Sequence, residues 1–288
     1  MRLIDGTTLA QQINTGLMQR YAAEYVKRGK TLHLGVVVVG EDPATMSFIR
    51  QKERTAAAIG IKFSLLRFPE NISTTALRKN ISTTVHSQRY DAFIVQLPLP
   101  SRLNQSYILN AIPARYDADC LSAIRLGKFY TRSLQTLAPP PVQALDLVFR
   151  QYTIDVVGKT VVLVGAGLLI GKPLAIFFIN QGATVIVVNS RTADLAAYLR
   201  KADIIVSGAG QAHMITVGMT KNDAVIIDFG FAQVNGKVVG DVDYESFHRT
   251  DCLIAPVPGG MGPLTVSMLF NNILLLLHQD NTKTKTII

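Results

Sequence analysis

The sequence predicts a two-domain α/β protein with mainly parallel sheets. Three observations carry this reading: a chain of 288 residues, a repeated alternation of short apolar runs with helical stretches, and a cluster of prolines near the middle where the alternation stops and then begins again. A single hydrophobic core usually stops growing at about 250–300 residues, so two modest domains are expected. Alternating strands and helices imply parallel pairing, because a parallel pair needs a long crossover and a helix provides it.

The elements follow in order. Residues 32–39 form a nearly continuous apolar run, the pattern of a strand covered on both faces. Gly40-Glu-Asp-Pro-Ala then turns the chain into a helix, with Asp42 as N-cap and Pro43 in the first helical position; Gly60 ends that helix in a left-handed conformation. Strands are expected at 62–68 and 92–97, around a helix at 74–85. Ala138-Pro-Pro-Pro141 reads as an extended linker, since consecutive prolines oppose regular helix. A helix resumes at 142–152. Beyond it come strand 160–164, helix 172–180, strand 184–188, helix 194–201, and strands 204–207 and 224–228. A terminal helix is expected at about 264–277, free to pack on either half.

Composition narrows the function. With 48% hydrophobic and 17% charged residues the chain reads as a globular protein. Asp5 and Gly6 interrupt any secretory signal, so cytoplasmic residence is expected. The apolar run 273–277 falls far short of the roughly 20 residues that cross a bilayer, so no membrane partner is expected. Cys120 and Cys252 show no paired spacing, and His33, His86, His213, His248 and His278 are scattered, so no metal is expected. The net charge of +9 is dispersed and forms no nucleic-acid patch; a field of that sign suits an anionic small molecule.

Five motifs carry chemistry. Gly165-Ala-Gly-Leu-Leu-Ile-Gly171-Lys-Pro173 follows a strand and opens a helix, where small residues let backbone approach a pyrophosphate and the helix start supplies free N–H groups. Its spacing is one residue longer than the common G-x-G-x-x-G, and the flanking β-α-β pattern supports a Rossmann-like domain that binds NAD(P). Asn189-Ser190-Arg191-Thr192 ends the next strand without the acidic residue usual for NAD. Ser190 and Arg191 suit a 2′-phosphate, favouring NADP while leaving NAD possible. On the helix after Asp42, Phe48 and Lys52 lie four apart and share a face, offering a ring to stack on a flat heterocycle and an amine to move a proton. Gln96, at the end of the apolar strand Asp91-Ala-Phe-Ile-Val-Gln96, is placed to bind a substrate or orient Lys52. Asp117-Ala-Asp119-Cys120 is an acidic loop. Pro256-Val-Pro-Gly-Gly-Met-Gly-Pro-Leu-Thr265 suggests a rigid loop that offers backbone amides to a ligand.

In this order and at these separations the motifs resemble the bifunctional methylenetetrahydrofolate dehydrogenase/cyclohydrolase family over almost the whole chain. The most specific stretches are Val95-Gln-Leu-Pro-Leu-Pro100, Gly236-Lys-Val-Val-Gly-Asp241-Val and Pro256 to Thr265. The resemblance implies an N-terminal α/β folate-binding catalytic domain at 1–138, completed by a C-terminal helix at 264–288, and a Rossmann-like NAD(P)-binding domain at 139–263. It implies catalytic roles for Lys52, Gln96 and Asp119, the last holding the pterin's amino edge. Substrate contacts are implied at Phe48, Pro258, Gly259 and Gly260, and cofactor contacts at Gly165, Ala166, Gly167, Gly171, Ser190, Arg191 and Phe231. The implied chemistry belongs to one-carbon metabolism and purine biosynthesis: NADP-dependent oxidation of methylene-tetrahydrofolate, then hydrolysis of the methenyl product to formyl-tetrahydrofolate. Donor and acceptor carbons would be aligned in a cleft between the domains of a homodimer joined through its nucleotide domains.

The chain departs from the family pattern at several positions. Phe48 stands for the usual tyrosine, Pro139-Pro-Pro-Val142 for Pro-Cys-Thr-Pro, Cys120 for a glycine, Gly167 for a serine, and Asn189 for a histidine. Loss of the tyrosine hydroxyl leaves a dehydrogenase without hydrolysis as one alternative. The altered cofactor loop leaves a non-catalytic folate- or dinucleotide-binding protein as another.

Overall fold

The structure is a computed structural model that describes residues 1–87, 89–133 and 136–283, with the side chains of Arg28, Ala44 and residues 278–283 outside that description. The side chain of His278 and the end of the expected 264–288 segment therefore lie outside the described residues. In chain order the elements begin with β1 (Arg2–Leu3), α1 (Gly6–Glu24), β2 (His33–Val39), α2 (Pro43–Ile59), β3 (Lys62–Phe68), α3 (Thr74–His86) and β4 (Ala92–Val95). Then come α4 (Gln105–Leu109), α5 (Ala123–Tyr130), α6 (Pro140–Gln151), β5 (Thr160–Val164), α7 (Gly171–Asn180), β6 (Thr184–Val188) and α8 (Leu195–Leu199). The last are β7 (Ile204–Ser207), β8 (Val225–Asp228), β9 (Ala232–Val234), β10 (Lys237–Val239), β11 (Leu253–Ala255) and α9 (Met261–Lys283).

The chain divides into two compact units. One comprises Gln11–Pro140 and the chain from Val266; the other comprises Met1–Ala10 and Pro141–Thr265.

The first unit is built on a parallel sheet of order β3-β2-β4. Six of the seven residues of the central β2 are buried, which accounts for its unbroken apolar sequence. α2 starts as expected: the Asp42 carboxylate accepts from the Thr45 amide and Pro43 needs no N–H partner there. Gly60, at φ +94°, closes the helix. A further parallel bridge between Phe93 and Asp117 sets the acidic loop beside β4. The core joins Leu34 and Val36 of β2, Ile94 of β4, Tyr21 of α1, and Phe270, Ile273 and Leu274 of α9.

The second unit is a parallel six-stranded sheet of order β1-β11-β8-β7-β5-β6. Its core includes Val162, Ile205, Ile226, Ile254 and Phe247. β9 and β10 form a separate antiparallel hairpin. Their two-residue link is Asn235-Gly236, both at positive φ, which matches the twist of paired strands.

Some elements differ from the sequence reading. Pro140 and Pro141 do not lie in a linker; they open α6, because the first helical turn has no N–H to lose. The strand expected at 92–97 ends at Val95. Residues 1–10 belong with the second unit and not with the first, because Arg2 and Leu3 pair with Leu253 and Ile254 of β11. The same contact explains Asp5-Gly6. Asp5 caps α1 by accepting from the Thr8 amide, and the Thr7 amide bonds the carbonyl of Gly259.

Gly6 has no space for a side chain, since a Cβ there would stand 1.8 Å from the Gly260 carbonyl oxygen. Gly6→Ala must push two backbone segments apart, at an overpacking cost of about 1–3 kcal/mol. A fall in melting temperature of about 2 °C or more is expected at roughly 2–4 °C per kcal/mol. An unchanged melting curve would show that the contact is not built so tightly.

Candidate active site

The carboxyl edge of the three-stranded sheet gathers the groups expected to do chemistry. Lys52 lies on α2, which follows β2, and Gln96 follows β4. Their side chains meet: Lys52 Nζ donates to Gln96 Oε1 at 2.9 Å. An ammonium can only donate, so the amide oxygen must face it. The Gln96 Nε2 is turned the other way and donates to the Leu97 carbonyl at 2.7 Å. Gln96 is buried and Lys52 half-buried, so the amine is fixed at one position while keeping access to solvent.

Asp119 arrives at the same edge through the bridge beside β4. Burial pushes its carboxyl pKa up, and the positive charge of Lys52 pulls it back down, which places the two charges within electrostatic reach. The loop that holds Asp119 is pinned from both sides. The buried Asp117 carboxylate accepts from the amides of Leu121 at 3.2 Å and Ser122 at 2.7 Å. From α9, Asn272 Nδ2 donates to the carbonyls of Ala118 at 2.9 Å and Ala138 at 3.1 Å and reaches Cys120 Sγ at 3.7 Å. Cys120 is buried with φ +57°, a left-handed conformation where glycine is unstrained. Asn272 was missed in the sequence, although an amide inside an apolar helix is the signal of a buried polar anchor.

Phe48 is half-buried one turn before Lys52 on α2, as its spacing requires. Pro258 follows a cis peptide bond, and the loop that contains it belongs to the other unit. There the Gly260 amide is not a spare donor: it bonds the Pro256 carbonyl at 2.8 Å.

In the second unit, the turn from β5 into α7 is drawn tight by its glycines. Gly165 has φ +105° and would place a Cβ 2.8 Å from the Gly208 carbonyl oxygen; a Cβ on Gly171 would lie 2.0 Å from that of Gly165. Gly167 instead faces open space, and Ala166 is exposed beside it. No side chain caps the start of α7. Ser190 and Arg191 are exposed in a turn after β6, where Asn189 Oδ1 accepts from the Arg191 amide at 2.9 Å. Phe231 is half-buried just past β8.

Two fully buried carboxylates stand at the same sheet edge. Asp241 Oδ2 accepts from Ser207 Oγ at 2.6 Å and from the Ala209 amide at 2.7 Å, while Oδ1 accepts from the Gln211 amide at 2.7 Å. Asp228 accepts from the amides of Gly230 at 2.7 Å and Val242 at 2.9 Å. Sequence reading assigned neither a role.

The comparisons with known proteins fall on this framework. Residues 4–119 match the model of the tetrahydrofolate dehydrogenase/cyclohydrolase catalytic domain, and residues 139–281 match its NAD(P)-binding domain. The chain belongs to the tetrahydrofolate dehydrogenase/cyclohydrolase family. A bifunctional FolD protein of an Exiguobacterium species is 40% identical over 94% of this chain and 96% of its own; one from a Sulfurihydrogenibium species is 38% identical over 95% and 96%. Among solved structures, the FolD dehydrogenase/cyclohydrolase of Campylobacter jejuni superposes with a TM-score of 0.89 at 32% identity, covering 97% of this chain and 99% of its own. The Trypanosoma brucei enzyme, solved with NADP and an inhibitor, gives 0.90 at 30% identity over 97% and 98%. The family's catalytic portion thus contains Lys52 and Gln96 and closes on Asp119, while its NAD(P)-binding portion contains the Gly165–Gly171 turn and both buried aspartates. Among the described residues, no group of three or more His, Cys, Asp and Glu could hold a metal, and no helix is long and apolar enough to cross a membrane.

Burial, with the Asp241 charge beside it, raises the Asp228 pKa to about 6; the amides of Val242 and Gly230 oppose that rise. A folded-state pKa above the ordinary value means that the folded chain binds the proton more tightly than the unfolded one. The contribution is complete below about pH 4 and is lost as pH rises through about 6. The melting temperature of the wild type relative to that of Asp228→Asn should therefore rise as pH is lowered from 8 to 5. A difference that stays flat across that range would place the Asp228 titration elsewhere.

Proposed function

We propose that this chain oxidises methylene-tetrahydrofolate with NADP and hydrolyses the methenyl product to formyl-tetrahydrofolate; a solved relative named methylenetetrahydrofolate dehydrogenase/cyclohydrolase supports the two activities, and one solved with NADP supports the cofactor. The observation that carries the proposal is the fixed Lys52–Gln96 bond with Asp119 at the same sheet edge. In this reading Asp119 accepts hydrogen bonds from the pterin's amino edge, and the ring of Phe48 stacks on the flat heterocycle. Gln96 holds the Lys52 amine at the reacting carbon. Water adds to the methenyl carbon and releases one proton to solvent; the carbon–nitrogen bond then breaks as the carbinol hydroxyl gives up its proton and the freed nitrogen takes one. Lys52 serves those two transfers, and its fixed position is what makes the help effective.

The dinucleotide supplies one chemistry, acceptance of the hydride that leaves the methylene carbon. The chain fits such a group. Gly165 and Gly171 close the turn so that backbone, not side chain, lines it, and open space lies over Gly167 at an uncapped helix start. Ser190 and Arg191 sit where a 2′-phosphate would need donors, which supports NADP.

The assembly we propose is a homodimer joined through the nucleotide units. β6 is an open edge of the six-stranded sheet, with Val187 42% exposed, and Val157, 69% exposed, lies against the Gly182 turn that leads into it. Unpaired edges and apolar patches of this kind call for a cover, and a second copy provides one. We place the protein in the cytoplasm, in keeping with two buried free thiols.

The purified protein should convert methylene-tetrahydrofolate and NADP to NADPH, followed by formyl product; silence with both NADP and NAD would overturn the reading. Lys52→Met should lower hydrolysis of methenyl-tetrahydrofolate by about 100-fold or more, the usual scale for a positioned acid–base group. Phe48→Tyr restores a hydroxyl beside that amine and should raise hydrolysis several-fold over the wild type. Equal rates would show that the ring alone is what this position supplies.

A further inference from the structure

The two buried aspartates of the nucleotide unit interlock in a way that neither the catalytic residues nor the glycine turn explains. Gly230 and Gly240 leave the space. A Cβ on Gly240 would stand 2.0 Å from Asp228 Oδ2, and one on Gly230 would stand 2.2 Å from Asp241 Cγ. Each carboxylate thus passes through the gap left by a glycine next to the other, and the ends of β7 and β8 are tied to the segment after β10.

The segment that Asp241 grips forms the floor of the glycine turn. Its three donors, Ser207 Oγ and the amides of Ala209 and Gln211, bracket Gly208 and Gly210. The Gly208 carbonyl presses on Gly165, and the side chain of Ile170 would meet a Cβ on Gly208 at 2.9 Å. Gly210 lies near the Phe231 carbonyl, which would be 3.7 Å from its Cβ. The same loop therefore touches the Gly165–Gly171 turn, where the dinucleotide is proposed to bind, on one side and Phe231, a cofactor contact that the family resemblance implies, on the other. Asp228 anchors the second of them through the Gly230 amide.

We propose that Asp241 is a positioning residue for dinucleotide binding: its carboxylate sets the 207–211 loop against Gly165 and Phe231, so that the phosphate-facing backbone is shaped before the ligand arrives. This rests on the dinucleotide reading above. The partner of Asp241 in the role is Ser207, fully buried and bonded to it. A preformed loop spares the ligand the ordering of that loop, so the role is read in affinity more than in the chemical step.

The test is a fluorescence titration with NADPH on the full-length wild type, Asp241→Asn and Ser207→Ala, with circular dichroism melts on each. Asp241→Asn keeps the shape and removes acceptors for charge-assisted bonds, so the Kd for NADPH should rise about tenfold or more. Ser207→Ala removes one of three donors and should raise it about two- to threefold. In both, kcat at saturating NADP should stay within about twofold, and hydrolysis of methenyl-tetrahydrofolate, which needs no dinucleotide, should match the wild type. Asp241→Glu, which retains the charge, should recover part of the affinity. If folded Ser207→Ala and Asp241→Asn bind NADPH as the wild type does, the positioning role is wrong and the dinucleotide reading stands. If Asp241→Asn does not fold, an unchanged Kd in Ser207→Ala alone overturns the role. If the wild type itself fails to bind, the dinucleotide reading falls and takes this inference with it.

Discussion

A parallel sheet brings all its strand ends to one edge, and in the unit built on β2, β3 and β4 that edge is where Gln96 meets the amine of Lys52. The bond between them depends on everything beneath it. β2 and β4 must pair in register for α2 to carry Lys52 over the end of β4. Gln96 must be buried so that its amide cannot turn to water, and its Nε2 must be occupied by Leu97 so that Oε1 points outward. Asp119 joins them because the Phe93–Asp117 bridge extends the same edge by one more strand position.

The chain manages its buried charges by a common device. Asp117, Asp228 and Asp241 are each fully or nearly fully buried, and each accepts from two or more backbone amides or hydroxyls. A buried carboxylate without such partners would be strongly unfavourable; with them it joins segments that share no secondary structure. Asp117 does this for the loop of Asp119, and Asp241 for the loop under the glycine turn. Glycines complete the arrangement, because only the absence of a Cβ lets the carboxylates thread past Gly230 and Gly240.

Much of this was legible in the sequence, and the part that was not has a physical reason. β2, α2 and β3 could be read closely because periodicity, an Asp-Pro helix start and a terminal glycine agree there. The Asn235-Gly236 hairpin carried a strong local turn signal and was still missed, since its strands are only three residues long. α1 escaped notice because its buried positions Ala10, Leu17 and Tyr21 are sparse among polar residues. Lys52, Gln96 and Asp119 were visible as motifs at strand ends and on a helix face. Asn272 was not, and Asp241 stood in a recognised stretch without a role, because their partners lie far along the chain: 154 residues separate Asn272 from Ala118, and 34 separate Asp241 from Ser207. Gly6 belongs with them, its need for a bare backbone set by Gly260 at the far end of the sequence.

The central claim is that Gln96 makes Lys52 effective by holding it, and the rate of methenyl-tetrahydrofolate hydrolysis by Gln96→Met tests that most directly. Methionine fills similar volume but replaces the amide with an apolar thioether, which is only a weak acceptor for the amine. The account predicts a loss of about 100-fold in kcat with folate affinity changed only a few-fold. A variant that hydrolyses as fast as the wild type, with Lys52 intact, would contradict it.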